Sequence, residues 1–118
     1  MKTTTLALSA LIFAGSLGAA SYANAAATLT ATNGMTVYVF DKDAGGQPSC
    51  YAMCASMWPP YVAKAGAKMH KGWSEVKRTD GSLQWAYGGK PLYFYASDKK
   101  KGDALGDGLG GVWHIVPK

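Results

Sequence analysis

The sequence predicts an all-β or β-dominant fold: a single small domain of two pseudo-repeated β units with one short helix. Three observations carry this expectation. Runs that alternate in residue type recur along the chain. Asn33-Gly34, Asp80-Gly81 and Gly88-Gly89 punctuate those runs, as tight hairpin turns do. Slid against itself by 55 residues, the chain puts Gly34 on Gly89, Tyr38 on Tyr93, Asp43 on Asp98 and Trp58 on Trp113.

The elements follow in order. Met1 and Lys2, the apolar run Leu6–Leu17 and the small residues ending at Ala23-Asn24-Ala25 have the layout of a secretory signal peptide, residues 1–25. Cleavage near Ala25 leaves a domain over residues 26–118, located in the periplasm or outside the cell. That length suits one core and one domain. Thr28–Thr32 and Met35–Phe40 form a hairpin around Asn33-Gly34. In its second strand Thr36, Tyr38 and Phe40 share one face, and Met35, Val37 and Val39 the other.

Asp41–Ser49 is a loop by composition. Cys50–Trp58 contains no Gly or Pro and reads as a helix capped by Ser49 and ended by Pro59-Pro60. Val62–Gly72 reads as an exposed connection. Trp73–Arg78 and Leu83–Tyr87 make a second hairpin around Asp80-Gly81, and Gly88-Gly89 turns into a strand over Pro91–Tyr95. Asp98–Gly111 is a long Lys/Asp/Gly loop before the last strand, Val112–Val116. The count is about six strands.

The repeat units span about 28–63 and 83–118. Each holds the pattern Tyr-x-aromatic-x-x-Asp: Tyr38, Phe40 and Asp43 in one, Tyr93, Tyr95 and Asp98 in the other. The two rings point to one face of a strand, and the carboxylate at the strand exit can accept loop amides. Trp58 and Trp113 are the matching tryptophans downstream. These eight motif residues are expected to build the scaffold, with each unit covering the other's apolar face.

On the stretches NGMTVYVFDKDAGGQPSCYAMCASMWPP, DGSLQWAYGGKPLYFYASD and GDGLGGVWHIV, the chain resembles a bacterial secreted-repeat family, described as predicted lipoproteins with a conserved Yx(FWY)xxD motif. The resemblance covers nearly all of residues 26–118. It implies export and a fold context, and it assigns no reaction. No cysteine precedes Cys50, so lipid tethering is not carried over.

Cys50 and Cys54 are the two cysteines, and export favours a disulfide between them. At i and i+4 of a helix their Cα atoms would lie roughly 6 Å apart, within reach of a bridge. The alternative is a periplasmic copper-binding or redox protein. Two thiolates suit a soft ion, with Met53, Met57, Met69, His70 and His114 as further ligands. The competing reading makes those methionines core filler and His114 a strand residue beside Trp113. Haem attachment and a four-ligand zinc site lack their spacings. Asp103 and Asp107 in a Gly-rich loop hint at calcium without the full ligand set.

Residues 26–118 hold four tryptophans and six tyrosines, many for so small a domain. Most belong in the core, and an exposed remainder could serve a carbohydrate- or surface-binding module. Catalysis has little support: no nucleophile motif surrounds a serine, and Glu75 is the one glutamate. The formal charge is +5, or +4 once Lys2 is removed. Lys99-Lys100-Lys101 reads as a solvated face, with an envelope component or other anionic surface as the alternative partner. A nucleic-acid partner is not expected, and residues 26–118 hold no 18-residue apolar span. The expected function is therefore that of an exported, non-catalytic binding or envelope-associated domain with no cofactor.

Overall fold

A computed structural model describes residues 28–118. The signal-peptide reading of residues 1–25 lies outside the described residues. Six strands and one α-helix follow one another: β1 (Tyr38–Phe40), α1 (Met53–Met57), β2 (Val62–Ala63), β3 (Trp73–Lys77), β4 (Leu83–Tyr87), β5 (Lys90–Pro91) and β6 (Trp113–Ile115). The fold is β-dominant.

All pairings are antiparallel. β1 pairs β6, with Tyr38 opposite Ile115 and Phe40 opposite Trp113. β4 is the hub of the second sheet and takes β3 on one side, β2 and β5 besides. Tyr93 forms bridges to both Tyr38 and Pro60, so the segment after β5 joins the two sheets into one surface. That surface has two apolar faces. Tyr38, Cys50, Trp58, Tyr93 and Trp113 are buried on one, here called the inner face. Leu29, Ala31, Val37, Leu92 and Val116 are buried on the other, the outer face. The alternation expected for Tyr38 and Phe40 against Val37 and Val39 is the alternation observed.

Several boundaries differ from the sequence expectation. Asn33-Gly34 does turn the chain: Gly34 sits at φ +82 and its N–H donates to the Ala31 carbonyl. Yet Thr28–Thr32 is held by single bridges from Thr28 to Pro117 and from Thr30 to Thr36, so it forms no regular strand. Pro91–Tyr95 is likewise reduced to β5 and isolated bridges, because its residues pair alternately with two neighbours. Residues 62–63 form a strand where a connection was expected, because β4 offers them a free edge.

The helix is shorter than the expected Cys50–Trp58. It begins at Met53, and its N-cap is Ala52 at φ +54 with no side-chain cap. Ser49 is engaged elsewhere: its N–H and hydroxyl both donate to Asp43. The Cys50 carbonyl accepts from Arg78 Nη2 at 2.8 Å. Residues 49–50 are thus tied down before a helical turn can start.

Candidate binding surface

The motif residues sit at the junction of the two repeats. Tyr38 and Tyr93 exchange backbone hydrogen bonds of 2.8 and 2.9 Å. Their side chains then cross. The Tyr38 hydroxyl donates to Asp98 Oδ2 at 2.6 Å, and the Tyr93 hydroxyl donates to Asp43 Oδ2 at 2.8 Å. The remaining oxygen of each carboxylate accepts a loop amide, Ser49 for Asp43 and Leu105 for Asp98. Burial, followed by these bonds to carboxylates, pushes both phenols well above their ordinary value of 10.

The rings cross in the same way. Trp58 and Trp113 stack at 3.8 Å between centroids, within 2° of parallel. Each also stacks on the motif ring of the other repeat, Trp58 on Tyr95 at 4.3 Å and Trp113 on Phe40 at 4.1 Å. Tyr38 meets Trp58 edge-on at 5.3 Å, and Tyr93 meets Trp113 edge-on at 5.2 Å. Each of these ring contacts and hydroxyl–carboxylate bonds in one half thus has its counterpart in the other. The inner face is an internal, nearly two-fold symmetric scaffold with its polar groups already paired.

Cys50 and Cys54 are joined in a disulfide, with their Cα atoms 5.2 Å apart. Both sulfurs are therefore used in this structure, and a thiolate copper site would first require reduction. Met53 and Met57 project from α1 and are exposed, as is Met69. These three do not fill the core. His70 is exposed on the loop before β3. His114 lies on β6, with Nε2 2.8 Å from Asp41 Oδ2. Among the described residues no three His, Cys, Asp or Glu side chains converge to hold a metal ion. Asp103 accepts the Lys99 and Lys100 amides, which holds its carboxyl below the usual range, and Asp107 accepts the Ile115 amide.

Sequence reasoning missed a buried polar bridge. Arg78 is 5% exposed and donates to Gln84 Oε1 and to the Cys50 carbonyl, both at 2.8 Å. Its guanidinium lies 4.1 Å from the Tyr51 ring centroid. Gln84, fully buried, donates onward to the Leu92 carbonyl. The period-2 pattern of β4 was the available signal, since Gln84 falls on the same face as the buried Ala86.

The outer face is different. Tyr61, Trp73, Trp85, Tyr87 and Phe94 pack on its core yet remain half-buried. They touch as a lattice: Trp73 meets Trp85 at 5.6 Å and Tyr87 at 5.3 Å, and Tyr61 meets Phe94 at 5.2 Å. Strand pairing sets this lattice. Trp73 stands opposite Tyr87, Glu75 opposite Trp85 and Lys77 opposite Leu83, all on one side of the sheet. Lys90, opposite Tyr87, and Lys77 are exposed at its margins. Glu75 Oε2 is buried there and has no hydrogen-bond partner. By contrast, the hollow lined by Val39, Phe40, Asp41, Asp43 and Lys90 is about 110 Å³, well below the size of ordinary ligand pockets.

Compared with known proteins, the chain is similar to a family described as a secreted repeat of unknown function, which matches residues 25–61 and again 74–117. No curated protein and no solved structure matches it.

Proposed function

Taking as premise that this chain belongs to the family of secreted repeats of unknown function, we propose that it is an exported, non-catalytic domain that binds a glycan of the cell envelope through its outer aromatic face. The observation that carries this reading is the lattice of Tyr61, Trp73, Trp85, Tyr87 and Phe94, half-open on a pleated sheet. Contiguous apolar surface on a small soluble domain marks a contact site. Aromatic side chains offer it large, rigid area at little entropic cost. A pyranose ring has an apolar face suited to such rings and hydroxyls suited to a polar margin.

The motif carboxylates are poor candidates for acid–base work because both oxygens of each are already bonded. The lysines at the margin and the net positive charge draw the domain to an anionic envelope, while the sugar unit seated on the rings is itself neutral. No helix among the described residues is long and apolar enough to cross a membrane. Export with cleavage after Ala25 is part of the proposal, and the intact mass of protein from the exported fraction tests it. A chain beginning at Ala26 is expected, and an uncleaved chain contradicts it.

Affinity electrophoresis through gels containing envelope polysaccharide tests the binding claim. The mature protein should be retarded, and Trp73→Ala and Trp85→Ala should migrate as in plain gels. Equal retardation of wild type and both variants would refute the assignment of this face.

A further inference from the structure

We infer that Glu75 is the polar contact of the outer face and receives a hydrogen bond from a donor-bearing pyranose unit. The inference rests on the glycan reading of that face and names the group that would orient the sugar on it.

Glu75 is an unusual presence. It is the one glutamate of the chain, placed at the middle of β3 between Trp73 and Lys77 on the same side of the sheet. Directly opposite stands Trp85, flanked on its own strand by Leu83 and Tyr87. Its carboxyl oxygen Oε2 is the one buried side-chain polar atom without a partner among the described residues. Lys77, two residues on, forms no ion pair with it. The other carboxylates that approach the sheet are satisfied: Asp43, Asp98 and Asp107 accept amides or hydroxyls, and Asp41 meets His114.

A desolvated oxygen with no donor destabilises the free protein. Replacement by an apolar residue of similar size relieves that cost, so retention of a carboxylate here is unexplained by folding alone. A ligand that brings a donor removes the penalty on binding. The residue as a whole is only half-buried, so its carboxyl group lies at the surface of the lattice, where a donor seated between the rings meets it. The required ligand therefore combines an apolar face for Trp73 and Trp85 with an O–H or N–H at its edge. A hexose unit and an N-acetylated amino-sugar unit share that chemistry, whereas a polyuronate brings a like charge to Glu75.

Calorimetric titration of the mature protein with three soluble oligomers tests the inference: a neutral hexose oligomer, an N-acetylated amino-sugar oligomer and a polyuronate. Binding of either of the first two is expected. Glu75→Leu should weaken it at least about tenfold while raising Tm, a combination that a structural role would not produce. Glu75→Gln, which keeps the shape, should fold normally and bind more weakly than wild type, and it carries the test if the leucine variant does not fold. Unchanged binding by Glu75→Gln, or a lower Tm for Glu75→Leu, overturns the role of Glu75. If Trp85→Ala abolishes binding while both Glu75 variants bind as wild type, the face stands and the Glu75 assignment falls. If Trp85→Ala also binds as wild type, the reading of the face itself falls. Binding of the polyuronate alone likewise overturns the inference.

Discussion

Removing one hydroxyl at the junction of the repeats should cost more than removing its counterpart. Tyr38 is fully buried, and its hydroxyl donates to Asp98 at 2.6 Å while accepting the Gly106 amide at 3.2 Å. Tyr38→Phe keeps the ring and its stacking but deletes both bonds. A hydrogen bond to a carboxylate contributes about 1.5–3 kcal/mol. The partners left behind matter as much. Asp98 is 7% exposed and Gly106 is buried, so neither regains water, which adds about 1–3 kcal/mol. The expected loss is about 3–5 kcal/mol, a large part of the stability of a domain this size.

Tyr93→Phe removes the matching bond to Asp43 at 2.8 Å. Asp43 is only half-buried, so water can replace the hydroxyl, and the expected loss is about 1–2 kcal/mol. Urea unfolding of the protein and both variants gives the comparison directly. In thermal melts the Tyr38 variant should lose about 12 °C or more. Equal losses for the two variants, or a Tyr38 loss under about 1 kcal/mol, would refute the claim that burial sets the value of each crossed bond.

Three further outcomes are expected. Gly106→Ala would place a methyl 2.5 Å from Trp58 Cη2 and 3.0 Å from Tyr95 Cγ, wedging the ring stack. A loss of about 1–3 kcal/mol should appear in urea unfolding, with a change in near-UV circular dichroism. Above pH 10 the unfolded tyrosines ionise while folded Tyr38 and Tyr93, raised by burial, hold their protons. The folded state then binds more protons, so stability present below pH 10 is lost as pH rises beyond it. Tyr38→Phe should flatten that alkaline slope in pH-dependent melts. Reduction of Cys50–Cys54 opens a loop of sequence separation 4, so it should cost about 2 kcal/mol or less. Oxidised protein should take up no Cu(I) by mass spectrometry, and uptake with the disulfide closed would revive the copper reading through Met53 and Met57.

The second hairpin was legible because its signals agree. Trp73–Lys77 and Leu83–Tyr87 alternate cleanly around Asp80-Gly81, and the register keeps that alternation. The 55-residue shift was legible because rare residues coincide, and the paired residues prove to be counterparts in space. What the alignment could not show is the crossing. Local logic assigns Asp43 to its own repeat, whereas its second oxygen serves Tyr93, 50 residues away.

The start of α1 was hidden for a similar reason. Ser49 has the chemistry of a helix cap, but a carboxylate from the preceding turn claims it first. Arg78 reads as a surface charge at a strand end, and only the tertiary approach of Gln84 and the Cys50 carbonyl makes its burial affordable. Of the outer face, sequence revealed the abundance of aromatic rings. Which of them stay half-open depends on pairing partners, with Trp58 and Trp113 sealed on the inner side and Trp73 and Trp85 left at the surface.

The four indole N–H resonances offer the most direct test of the outer face as a recognition surface. The protein would be titrated with a soluble envelope oligosaccharide and followed by heteronuclear NMR, with assignments from single Trp→Phe variants. The Trp73 and Trp85 signals should shift in proportion to occupancy, while those of Trp58 and Trp113 stay in place. Shifts confined to Trp58 and Trp113, or binding that leaves all four unmoved, would contradict the account.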